Sequence, residues 1–292
     1  MKLVDRSFLI QDRDDDRDVH LTDTNFVAVP RRLPTLGAFV TLGLFWGAWA
    51  AVLPSVQEAT ATSKATLGLA MLFVAAGSLP AMLFVSGPAV DRFGVRAVAL
   101  FGAAFAVAIT LPGLASSFLG LALALALTGA ASGALDVGIN ANVSRIESAT
   151  GRRLMPLAHG LYSSGVLAGA VGAGLARSAG AGRESILLVV AGLIAVTALL
   201  LARDPARLET PRTRRRPSFE RALILIGIVG AAAFVVEGGI ETWSALFLER
   251  ELHAQPDVSG LGPGVFGAAM AAGRFFGQAA GRSDRDLLAG GS

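Results

Sequence analysis

Asp136 and Asn140 stand four residues apart in "GAASGALDVGINANVSRIE", inside a long apolar run. On a helix that spacing puts both on one face, one turn apart. A carboxylate beside a carboxamide can hydrogen-bond a hydroxylated solute, and the carboxylate can also take a proton. The same two groups can instead tie neighbouring helices together. Glu237 and Glu241 repeat the spacing in "EGGIETWSALFLE". Two carboxylates one turn apart raise each other's proton affinity, which suits a proton site. His159 precedes Ser163 by one turn. Its ordinary pKa range suits proton exchange. A hydrolytic Ser-His pair would also need an orienting group and an oxyanion site, and the sequence offers neither. His159 serves equally as a hydrogen-bonding group between helices. Trp46, Trp49 and Tyr162 can line a cavity or face lipid. Arg274 either reaches for the membrane surface or pairs with a carboxylate in another helix.

The segments that carry these groups are membrane spans. The chain has 292 residues, 53% of them hydrophobic and 16% charged, with 35 glycines. An ordinary soluble domain carries about 25% charged residues. A helix needs about 20 apolar residues to cross a bilayer. Eight stretches qualify: Leu33–Gln57, Thr66–Val90, two spans sharing 97–143 and divided at "PGLASS" (112–117), Leu154–Ala176, Ser185–Ala202, Ala222–Leu248 and Leu261–Gly281. The implied organisation is a polar tail (1–32), a six-helix transmembrane domain (33–202), a basic linker (203–221), two helices of an incomplete second domain (222–281) and a short tail (282–292).

Basic residues collect on the cytoplasmic side of a membrane protein. With the N-terminus inside, Arg92, Arg96, Arg145, Arg152 and Arg153 fall inside, together with seven arginines of 203–221. The opposite side receives Lys64, Arg177, Arg183 and Arg250. This bias also accounts for the basic linker without nucleic acid as a partner. The chain has no cysteine, which excludes thiolate catalysis, disulfides and cysteine-type zinc sites. The acidic run "DRDDDRD" lacks the glycine turn of a calcium loop. The glycine-bearing "GLALALALTGAASGALD" lacks a phosphate-loop lysine, so an ATP-driven pump is disfavoured. Asp136 has no second aspartate deep in another span, as an intramembrane aspartyl protease would require. No metal, no cofactor and no enzymatic activity are expected.

"GPAVDRFGVR", residues 87–96, falls between the second and third spans. It reads as a short cytoplasmic loop in which Gly87 permits close helix approach, Gly94 a tight turn, and Asp91 a pairing with an arginine. Gly87, Asp91, Arg92, Gly94 and Arg96 match in order the loop signature of the major facilitator superfamily, which this chain resembles. "GLFWGAWAAVLP", "GRRLMPLAHGLYSSGVLAGA" and the two stretches quoted above are similar to a bacterial branch distantly related to fucose–proton symporters. The resemblance covers residues 35–280. It implies an all-α polytopic bundle in a bacterial inner membrane, N-terminus cytoplasmic, with the 87–96 signature as a cytoplasmic gate. It implies a secondary transporter of a small organic solute, sugar-like, coupled to protons, with the bilayer as its surroundings. In that branch the fourth helix carries an acidic residue and an asparagine, matched here by Asp136 and Asn140. The superfamily has twelve helices in two halves. Eight spans supply one half and two helices of the next, so a chain truncated after its eighth helix is expected. The alternatives are a truncated membrane protein with no transport activity and an efflux protein for drugs or metabolites.

Overall fold

The computed structural model describes residues 31–204 and 221–279. The tail with "DRDDDRD", most of the basic linker and the last thirteen residues lie outside the described residues. Among the described residues there are eight long helices and no strand. They are α1 (Arg32–Ala59), α2 (Lys64–Phe93), α3 (Val95–Ala108), α4 (Phe118–Thr150), α5 (Met155–Ser178), α6 (Arg183–Ala202), α7 (Arg221–Arg250) and α8 (Leu261–Ala279). Six spans are long and apolar enough to cross a membrane, the third of them being Val95–Leu114, α3 together with the turn that follows it. α5 and α8 fall short of that measure. Their glycines, serines and histidine or arginine dilute the apolar residues, and those small residues are what the packing uses.

Several boundaries have a local cause. Ser63 caps α2 by accepting from the Thr66 amide, and Ser117 caps α4 by accepting from the Gly120 amide. "PGLASS" breaks the long apolar run: α3 ends at Ala108, a single turn spans Leu111–Leu114, and α4 starts at Phe118. α4 runs two turns beyond the expected end at Val143. It stops at Thr150, where Gly151 adopts a left-handed φ of +65°.

The stretch 87–96 is not the open loop its composition suggests. Residues Gly87–Phe93 are helical and continue α2 through a π-helical segment, Ala81–Ser86. That widening begins directly after Pro80, which has no N–H to give to the helix ladder. The whole reversal of direction falls on Gly94, at φ +61° and ψ −139°. Gly87 is not at a close approach either. A Cβ built there meets no heavy atom within 4 Å.

Glycines elsewhere bring helices together. A Cβ on Gly43 or Gly47 of α1 would sit 2.0 Å from the carbonyl oxygen of Tyr162 or Val166 in α5. Gly165 and Gly169 of α5 return the contact against Val40 and Leu44 of α1. Gly77 and Gly129 do the same for α2 and α4. With lipid tails as apolar as leucine, such close packing, rather than the hydrophobic effect, holds helices together. α1 is the most enclosed helix. Phe39, Phe45, Trp49 and Leu53 are buried, with Phe105 of α3 packed edge-on to Phe45 at 5.1 Å. The outward faces of α2, α4 and α6 carry exposed Leu72, Leu83, Phe84, Leu123, Leu127 and Leu188. An apolar exterior round a packed interior is the pattern for a protein solvated by hydrocarbon.

Candidate functional site

The candidate polar groups singled out within the spans in the sequence lie on α4, α5, α7 and α8. On α4, Asn140 Nδ2 donates to Asp136 Oδ1 at 3.0 Å and to the Asp136 carbonyl at 2.9 Å. The pair is a one-turn clamp within a single helix, not a strap between helices. Gly129 and Gly133 hold the preceding turns of α4 against Val74 and Ser78 of α2.

Arg274 joins three helices. Its Nη1 donates to the Ser163 hydroxyl and, at 3.1 Å, to the His159 carbonyl of α5. Its Nη2 donates to Glu237 Oε1 of α7 at 3.1 Å. Of the two readings of Arg274, pairing with a carboxylate is the one seen. Ser163 and His159 therefore serve an arginine rather than each other as a hydrolytic pair. The His159 ring packs edge-on to Phe39 of α1 at 5.5 Å.

Glu241 lies one turn along α7 from Glu237. It is buried, and its Oε1 takes no hydrogen bond among the described residues. Tyr162 of α5 packs against the buried core of the bundle. Trp49 is wholly buried against Phe45, at 6.4 Å between ring centres, and its Nε1 has no hydrogen-bond partner among the described residues. Trp46 is half-buried. No group of three or more metal-binding side chains occurs among the described residues.

The two ends of the bundle differ. At the end that carries Arg152 and Arg153, a recess of about 830 Å³ opens. Its wall includes Glu147, Ser148, Arg152, Arg153, His159 and Arg274. Glu147 is engaged there: its Oε1 accepts from the amides of Leu154 and, at 2.7 Å, Met155. Asp136, Asn140, Trp46, Trp49 and Tyr162 do not line this recess. Asp91 lies at the same end and faces Arg145 of α4 at 3.9 Å. Arg92 sits over the Phe93 ring at 5.5 Å, and Arg96 is exposed.

The opposite end is bridged by an ion-pair network, beside an apolar groove of about 450 Å³ between α1, α5 and α6. Arg177, at the end of α5, forms a two-point ion pair with Glu249 of α7, with Nη2 to Oε2 at 3.1 Å. Arg177 also donates to Ser55 Oγ at 3.0 Å and the Ala51 carbonyl at 2.7 Å, both in α1. Ser259 donates to Glu249 Oε1 at 2.6 Å. The pair is only 10% and 14% exposed. Arg250 donates to the Pro54 carbonyl, and Lys64 pairs with Glu251. Gly174 and Gly260 let the backbones meet beneath them. None of Arg177, Glu249 and Ser259 stood out in the sequence. They are ordinary charges and a hydroxyl at helix ends, and no spacing announces that they meet.

The apolar exterior, the glycine-packed helices and the polar groups enclosed among four of them define a polytopic membrane protein of the transporter type. Residues 35–290 match the Major Facilitator Superfamily, and the chain belongs to that family. It is 32% identical over 254 residues to an uncharacterized MFS-type transporter of Yersinia pestis, covering 85% of this chain and 65% of that protein. It is 32% identical over 244 residues to membrane protein MosC of Rhizobium meliloti, covering 82% and 59%. An uncharacterized transporter of Sinorhizobium fredii is 30% identical over 237 residues, covering 80% and 63%. The chain thus spans about three-fifths of the length of these relatives. This is a family of transporters, not of enzymes.

Proposed function

We propose that this chain forms the solute-handling part of a secondary transporter that moves a small, hydroxylated organic solute by proton-coupled alternating access in a bacterial inner membrane. The asymmetry of the two ends carries this reading. A recess of about 830 Å³ opens at the end bearing Arg152 and Arg153, while the Arg177–Glu249 network bridges α1, α5 and α7 at the other. An arrangement open at one end and latched at the other is one half of an alternating-access cycle. The positive-inside rule makes the open end cytoplasmic and places the N-terminus there too. Asp91 pairs with Arg145 of its own half. That leaves the signature at 87–96 as a cytoplasmic gate that would close when the recess closes.

In this reading Asp136 carries the proton and Asn140 helps bind solute hydroxyls. A carboxylate inside a bilayer costs several kcal/mol and is retained where it acts. Glu237 and Glu241 are the next carboxylates in line, with His159 in the wall of the recess. One proton crossing contributes about 2.3 kcal/mol per 100 mV. That supports a roughly fiftyfold gradient of a neutral solute. The likeness to the fucose-symporter branch favours a sugar-like solute.

The test is solute-induced proton uptake in proteoliposomes. Asp136→Asn keeps the shape and removes the titration, so coupled proton uptake should vanish while solute exchange continues. Asn140→Ala should weaken solute binding by about 0.5–1.5 kcal/mol. Unchanged proton uptake in Asp136→Asn would move the proton site to Glu237.

A further inference from the structure

Arg274 is the one charged group that both lines the recess and reaches the polar interior among the described residues. It is 25% exposed and its partner Glu237 is 30% exposed. Its guanidinium is held from behind by the Ser163 hydroxyl and the His159 carbonyl, two neutral acceptors on one face of α5. Glu237 supplies the anion. Among the described residues of the wall, the Glu147 carboxylate is committed to the Leu154 and Met155 amides. A solute entering the recess meets Arg274, whose bound anion is a side-chain carboxylate.

We infer that Arg274 reads a carboxylate on the solute, which takes the place of Glu237 on the guanidinium, so that the transported class is a hydroxylated monocarboxylate of the sugar-acid kind. This rests on the transport reading above. Glu237 is the template: a carboxylate already fits the position, on a guanidinium that Ser163 and His159 hold in place. A guanidinium presents a planar fork that matches carboxylate geometry. Glu237 then acts as a resident competitor. It keeps Arg274 neutralised when the site is empty and is released when solute arrives. Arg274 is accordingly a specificity-determining residue and Glu237 its counter-ion.

The experiment measures ligand-induced thermal stabilisation of the purified chain in detergent, with D-galacturonate and D-gluconate against neutral D-galactose and D-glucose. The acids should stabilise the native chain and the neutral sugars should do so at least tenfold more weakly. Glu237→Gln should bind the acids about tenfold more tightly, because a charge-assisted competitor is gone. Arg274→Gln should lose acid binding by at least tenfold, and Arg274→Lys should retain part of it. A merely structural ion pair predicts instead that Glu237→Gln and Arg274→Gln fall together, and that result overturns the inference. So does binding of the neutral sugars alone, which leaves the transport reading standing. Acids that fail to bind the native chain overturn the inference as well. Should Arg274→Gln fail to fold, the comparison of acids with neutral sugars and the Glu237→Gln arm still decide. Loss of the transport reading shows elsewhere, as absence of solute-coupled proton movement for acids and neutral sugars alike.

Discussion

Arg177 shows how much a single side chain at a helix end can decide. Its guanidinium spends its donors on Glu249, Ser55 and the Ala51 carbonyl, and the ion pair is nearly out of solvent. Removing one partner of such a pair strands the other, at a cost of about 3–5 kcal/mol. Arg177→Met should therefore destabilise the bundle by roughly that amount, and Arg177→Met with Glu249→Leu should recover most of it. Thermal melting of the two variants checks this. The single variant should also open that end of the bundle. With no cysteine in the chain, Gln57→Cys is a clean reporter: it should react faster with an impermeant thiol reagent when Arg177 is replaced. Equal rates would show that Arg177 holds nothing shut. The Lys64–Glu251 pair at the same end is exposed and does less. Lys64 holds the Glu251 carboxyl below the usual carboxylate range. A lowered carboxyl pKa stabilises the fold at pH values above the ordinary value of about 4.3, and that contribution fades as pH falls through the lowered value. Lys64→Met should lower stability slightly at neutral pH, leave it unchanged at acid pH where Glu251 is protonated either way, and so flatten the acid limb of the melting curve.

At the scale of helices, the apolar runs told most of the story. Mostly apolar stretches of about 20 residues marked the long helices, since hydrocarbon admits no unpaired backbone. Two features escaped. Residues Gly87–Phe93 look like a loop because they mix glycine, proline and charges, yet a proline at a helix start and a charged last turn are compatible with a helix, and only Gly94 had to turn. Helix adjacency escaped altogether, because a period of 3.6 residues says which face is small but not which helix faces it. Asp136 with Asn140 and Glu237 with Glu241 were legible as pairs within their own helices. That Arg274 joins Glu237 to Ser163 was not, for the three lie on three helices. The glycines divide by the same logic. Gly129→Val should abolish folding, because its Cβ would lie 2.1 Å from the Val74 carbonyl oxygen and neither backbone can yield. Gly87→Ala meets open space in a helical conformation and should raise stability by about 0.5–1 kcal/mol. Melting temperatures of the two variants settle the contrast, and a Gly129→Val protein that folds normally would refute the close packing of α2 on α4.

For the molecule as a whole, the basic bias predicts orientation. A cysteine at position 210 should stay unlabelled by impermeant reagent in intact cells, and labelling there would reverse the topology. Support is also uneven across the bundle. The side chains from Ile224 to Ala233 are exposed, whereas Leu121, Leu125, Leu135 and Ile139 of α4 are buried. Amide hydrogen exchange should be faster over 224–236 than over 121–146, and equal protection would mean that another surface covers α7. The meeting of α1 with α5 sets a timetable as well as a shape. Gly43 and Gly47 fit against a helix whose matching glycines, Gly165 and Gly169, lie far along the chain. At about 5–20 residues per second, roughly 6–25 s of translation separate Gly43 from Gly165. For that interval the newborn α1 has a glycine groove and no helix to fill it.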